Sequence, residues 1–132
     1  MSQDSPDLQA DVVTIYERVG GWQFFVELVE RFYKFVEVDI VLRPLYPGNL
    51  NPGKAHLAAF LAQYWGGPSH YSMERGHPRL RMRHMAFPIG KTERDVWVTH
   101  MIKALDSMEI PAYESKLMTD YFESTATFMI NR

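Results

Sequence analysis

Five histidines are the first residues to weigh for chemistry: His56, His70, His77, His84 and His100. No two stand at the H-x-x-x-H spacing and H-E-x-x-H is absent, so a zinc hydrolase centre has little support. His84 differs from the others in its setting. Arg79-Leu80-Arg81-Met82-Arg83 precede it and Met85-Ala86-Phe87 follow. Read as a helix, this stretch puts Leu80 and His84 on one face, with the arginines fanned to the sides. An imidazole on an apolar face can serve as an axial metal ligand when an acceptor orients its second nitrogen. It can equally be a half-buried structural histidine.

Arg75, Arg79, Arg81 and Arg83 form the one dense positive patch. Such a patch suits phosphate or carboxylate, or is simply a solvated helix face. Tyr33, Tyr46, Tyr64 and Trp97 carry polar tips on or beside apolar faces. They are either core residues with backbone partners or donors that converge on a ligand, and periodicity does not separate the two. Gly20-Gly21-Trp22 and Gly66-Gly67-Pro68 break helices and cradle no phosphate. Neither paired carboxylates nor a Ser/His/Asp arrangement stands out, which weakens a hydrolase reading. The sequence has no cysteine, so disulfides, thiolate metal sites, iron–sulfur clusters and a cysteine nucleophile are excluded.

The elements that must position these residues read as helices. The 132 residues include eight Phe, seven Tyr and three Trp, enough to build a sizeable core. A formal charge of −2 argues against a nucleic-acid partner. The short apolar runs give no membrane span, and the acidic, polar start is no signal peptide, so a cytoplasmic protein is expected. Residues 1–10 read as a flexible tail and 11–132 as a single domain. Asp7 is a candidate cap for a short helix with Leu8, Val12, Ile15, Tyr16 and Val19 on one face. From Trp22, the spacing of Phe25, Leu28, Val29, Phe32 and Val36 predicts an amphipathic helix fading at Val38-Asp39. A short helical piece through Leu42 is expected to stop near Pro44. Asn51 is read as an N-cap with Pro52 in the first helical position, opening a helix that carries Leu57, Phe60, Leu61 and Tyr64. Residues 69–90 leave room only for a short helix around 79–85. Thr92-x-x-Asp95 resembles a capping box before a stripe of Trp97, Met101, Ala104, Leu105 and Met108. Pro111 opens the last helix, with Tyr113, Leu117, Met118, Tyr121, Phe122 and Phe128 on its apolar side. No strand alternation appears, and the class is all-α.

The wording of the sequence is more specific than its periods. Gln63-Tyr64-Trp65-Gly66-Gly67-Pro68, Tyr71-Ser72, and Arg75-Gly76-His77-Pro78 running on to His84 closely resemble group II truncated haemoglobins. Tyr33, Leu42 through Pro47, and Glu93-Arg94-Asp95-x-Trp97 stand in that family's order, and the resemblance covers about residues 15–130. It implies a truncated globin-like two-over-two helical sandwich around a haem. By similarity, His84 is the proximal iron ligand. Tyr33, Tyr46 and Trp97 lie on the distal side, where an N–H or O–H donates to the partial negative charge of bound dioxygen. The haem pocket would further include Gly53, His56, Leu57, Phe60, Leu61, Arg83 and Phe87. Arg83 with His56 or Lys54 is the implied partner of the propionates.

The implied cofactor is haem b, and the implied ligands are dioxygen, nitric oxide and carbon monoxide. Tight binding would suit sensing, scavenging or redox detoxification more than bulk oxygen transport. Nitric oxide dioxygenase or peroxidase-like turnover would need an external reductase. An aromatic stripe on the last helix is a candidate homodimer face. The alternative is a non-haem helical interaction domain that uses the arginine patch on an acidic partner.

Overall fold

Thr14 and the glycine pair Gly20-Gly21 decide how the described chain begins. A computed structural model describes residues 13–132. The expected tail over 1–10 and the Asp7 cap with Leu8 and Val12 lie outside these residues. Within them, Thr14 caps helix α1 (Ile15–Val19): its hydroxyl accepts from Glu17 N at 3.1 Å, and the Glu17 carboxylate accepts from Thr14 N at 3.3 Å. Gly20 then takes the left-handed conformation, and α2 (Trp22–Val38) follows. Phe25, Leu28, Phe32 and Val36, spaced three and four apart, are fully buried along it.

Side-chain hydrogen bonds, which periodicity does not register, move several expected boundaries. Asp39 Oδ1 accepts from Val41 N and Leu42 N at 2.8 and 2.9 Å, turning the chain straight after α2. Pro44 does not stop a helix there. It lies inside a 3-10 turn, Arg43–Leu45, near a helix start where its missing N–H leaves nothing unpaired. The next helix, α3 (Asn51–Tyr64), is preceded by Leu50 as N-cap, so Asn51 is its first residue and Pro52 its second. Asn49 has taken the local role, its Oδ1 accepting from Asn51 N at 3.1 Å.

A six-residue helix that the sequence reading lacks, α4 (His70–Arg75), is held by Gln63. The Gln63 side chain accepts from Ser72 N at 2.9 Å and donates to Ser72 Oγ at 2.7 Å. The short helix expected around 79–85 is α5 (Leu80–His84). Helix α6 (Lys91–Asp106) starts one residue before Thr92. Its cap is Gly90, whose N–H donates to Glu93 at 2.8 Å, while Asp95 is taken by Lys91 and Arg94. The Thr92–Asp95 capping box is therefore not formed. In α7 (Ala112–Phe128), Tyr113 and Phe128 are exposed at the two ends. Phe122 between them is buried, so α7 carries no continuous exposed aromatic stripe. Of the expected apolar side Met118 and Phe122 are buried, together with Met129 and with Glu114, which pairs with Arg18 at 3.4 Å.

The four long helices form a two-over-two arrangement in an all-α fold: α2 packs on α3, α6 on α7, and α2 on α6 joins the pairs. Among the described residues there is no strand, and no helix is long and apolar enough to cross a membrane. The core where the pairs meet is built from Phe25, Leu28, Phe32, Met101, Leu105, Met118 and Phe122.

Gly67 closes α3 against α1. Its N–H donates to Ala62 O at 2.8 Å, and a Cβ there would come within 2.5 Å of the Tyr16 ring and 2.8 Å of that carbonyl. Gly67→Ala should lower stability by about 1–3 kcal/mol, the usual cost of overpacking. Chemical denaturation checks this, and an unchanged midpoint would show that the junction yields freely.

Candidate functional site

The two helix pairs do not close completely. Between them lies a cavity of about 290 Å³. Tyr33 enters it from α2, Tyr46 from the turn before α3, and Gly53, Leu57, Phe60 and Leu61 from α3. His84 of α5, Phe87, and Trp97 of α6 are the other residues expected from the sequence that line it, with Leu80 beside His84.

His84 is oriented by its own helix. Its Nδ1 lies 2.6 Å from the carbonyl oxygen of Leu80, four residues earlier. A carbonyl can only accept, so Nδ1 carries the proton and Nε2 is the nitrogen left for a metal. This is the orienting acceptor that an axial imidazole needs. Among the described residues no three His, Asp or Glu side chains cluster to hold an ion by themselves.

The polar-tipped aromatics keep their protons. Burial pushes the Tyr33 phenol up to about 12. Burial raises Tyr46 further, helped by the neighbouring Tyr33 and opposed by the nearby Trp97 indole. The two phenol rings meet edge to face at 5.7 Å. Both hydroxyls therefore remain donors throughout the physiological pH range. Gly53 lets Tyr33 lie where it does: a Cβ at that position would stand 2.7 Å from Tyr33 Oη.

His56 and Arg83 lie outside the cavity lining. Arg75 links them. Its Nη1 donates to His56 Nε2 at 3.1 Å, and its carbonyl accepts from Arg83 Nη2 at 2.9 Å. Arg83 Nε also donates to Pro78 O at 2.7 Å. Burial, followed by the Arg75 charge, pulls the His56 pKa below the ordinary imidazole value. Lys54 pairs with Glu30 at 3.2 Å. The lining also includes Leu42, Leu45 and Ile89, Glu93 and Arg94 of α6, and Thr125, Ala126 and Met129, none of them selected from the sequence as site residues. The last three continue the three-and-four spacing of Met118, Tyr121 and Phe122, which was the available signal.

These residues fit a flat, apolar prosthetic group with an axial coordination site: one imidazole with Nδ1 already bonded, aliphatic and phenyl walls, and small residues at Gly53 and Ala126. The comparisons agree. A family model described as bacterial-like globin matches residues 14–131. The chain is 35% identical over 117 residues to a group 2 truncated haemoglobin of Bacillus subtilis, covering 89% of this chain and 88% of that protein. The haemoglobin of the thermophilic phototroph Chloroflexus aurantiacus is 50% identical, with a TM-score of 0.90, covering 92% of this chain and 100% of that one. A thermostable haemoglobin of Thermobifida fusca is 48% identical, with a TM-score of 0.88, covering 90% of this chain and 98% of that one.

Gly53→Ala should destabilise the protein by about 1–3 kcal/mol through the Tyr33 hydroxyl. Tyr33→Phe removes the atom that the new methyl meets, so the double variant should recover part of the loss. Strictly additive effects in this cycle would refute the contact.

Proposed function

Because the chain belongs to the bacterial-like globins, as a group II truncated haemoglobin, we propose that His84 is the sole protein ligand of a haem b iron and that Tyr33, Tyr46 and Trp97 retain a diatomic gas beside it. Membership makes the protein a haem globin that binds oxygen. The observation that carries the finer reading is the His84 ring, which lines the cavity with Nδ1–H committed to Leu80 O. The absence of cysteine favours non-covalent haem b over a thioether-linked or thiolate-ligated haem. When bound, the haem supplies a ferrous iron that takes dioxygen, nitric oxide or carbon monoxide.

The chain's own residues then determine how long the gas stays. Tyr46 and Trp97 both line the cavity, and a phenol and an indole each offer a donor there. Tyr33 supplies another hydroxyl. A hydrogen bond to a charged partner contributes about 1.5–3 kcal/mol, roughly 10- to 150-fold in an off-rate. Such retention suits sensing, scavenging or redox detoxification better than delivery. Arg83 and His56, already tied together through Arg75, are the partners assigned to the haem carboxylates. Turnover of nitric oxide or peroxide would draw electrons from a separate reductase, since the sequence holds no nucleotide-binding loop. The family does not favour a non-haem interaction domain.

The purified protein should be red, with an intense Soret band; a colourless chain that cannot be reconstituted with haem would overturn the reading. His84→Gly should lose haem affinity and recover it in part with added imidazole, and an unaltered spectrum would remove His84 as ligand. Trp97→Phe should speed oxygen dissociation about 10- to 150-fold, measured by stopped flow. An unchanged rate would reduce Trp97 to packing.

A further inference from the structure

The segment after α7 returns to the His84 side of the cavity and ends its path on one amide. Asn131 Nδ2 donates to Phe87 O at 2.9 Å and to His84 O at 3.3 Å. Its Oδ1 accepts from Ile89 N at 3.0 Å, and its backbone N–H donates to Ile89 O at 2.8 Å. Next to it, Ile130 O accepts from Arg81 Nη2 of α5 at 3.1 Å. Three of the Asn131 partners are His84 itself, Phe87 and Ile89, and all three line the cavity.

A five-residue helix leaves most of its carbonyls without partners inside the helix and has too few internal bonds to hold a direction by itself. One side chain that gives two N–H bonds and takes one at the end of α5 therefore fixes where the helix stops and how the chain leaves it. Asn meets that requirement because its amide carries donors and an acceptor together. Asp would keep the acceptor arm and lose both donor arms, at the same size.

We propose that Asn131 is a positioning residue for His84: it locks the exit of α5 and so sets the direction of Nε2 toward the haem iron. This rests on His84 being the axial ligand. It also separates two tasks. Leu80 O chooses the tautomer and ring rotation, and Asn131 holds the backbone that carries the ring.

The test is resonance Raman of the ferrous, gas-free holoprotein, in which an iron–imidazole stretching band reports the ligand's orientation. The wild type should show a single sharp band, lost in His84→Gly. Asn131→Asp should shift and broaden it, and Asn131→Ala should do so at least as strongly. Haem transfer to apomyoglobin should become about 5- to 150-fold faster in Asn131→Asp, the value of roughly two neutral hydrogen bonds. A wild-type band that survives unchanged in both variants, at any cost in melting temperature, overturns the positioning role and leaves His84 as ligand. A wild type with no such band, or one that persists in His84→Gly, fails the premise instead. Asn131→Asp, equal in size, keeps the experiment readable if the alanine variant does not fold.

Discussion

The hydrogen bond from His84 Nδ1–H to Leu80 O, 2.6 Å long, is the interaction on which the site depends. It commits one imidazole nitrogen, leaves the other available, and needs an intact helical turn between residues 80 and 84. Yet α5 is only that turn. Its geometry must be imposed from outside. Arg83 reaches back to Pro78 O and Arg75 O at the start. Arg79 sits at φ 44° in the left-handed region, a strained place for a side chain, where its N–H donates to His77 Nδ1 at 3.1 Å. Asn131 closes the other end. The strain at Arg79 lies one residue before the helix it starts, so holding α5 and holding the strain are one task.

The aromatic side of the cavity is governed by a different constraint, burial. Phe32 packs on Tyr33 at 5.5 Å and on Trp97 at 5.1 Å, and Trp97 meets Phe122 at 6.0 Å. Tyr33 thus belongs to the buried core, and Tyr46 and Trp97 pack half-buried against it, so the polar tips are tied to that core. The same burial that raises the phenol pKa values keeps their protons in place. Rigidity and donor character come from one cause.

That division explains what was legible in the sequence. The four long helices carry their own period: Phe25, Leu28, Phe32 and Val36 announce a buried face, and the structure buries it. Gly20-Gly21, Val38-Asp39, Gly66-Gly67 and Pro111 announced helix ends where the structure has them; the other boundaries were not legible, because Asp39, Asn49, Gln63 and Glu93 set them through side-chain bonds to backbone groups, which apolar spacing cannot show. The His84–Leu80 relation was legible as an i−4 pair on one face. Whether it meant a ligand or a satisfied structural histidine was not, since both need the same bond; only the longer wording from Gln63 to His84 pointed to the family. Asn131 was illegible. It stands 47 residues from His84, is polar, and belongs to no period, so nothing short of the folded chain relates the two.

A cavity of about 290 Å³ also bears on why this small chain carries so many aromatics. Left empty and dry, apolar space costs about 24 cal/mol per Å³, or about 7 kcal/mol here. That is comparable to the whole stability of an ordinary domain, about 5–15 kcal/mol. The aromatic-rich core around Phe25, Phe32 and Phe122 holds the two helix pairs apart and in register on either side of that space. Filling it with a flat apolar group recovers contacts on both faces at once. The group is thus the missing part of the hydrophobic core as well as the reactive centre. For the same reason the small residues at the walls, Gly53 above all, are constraints on the core as much as on the chemistry.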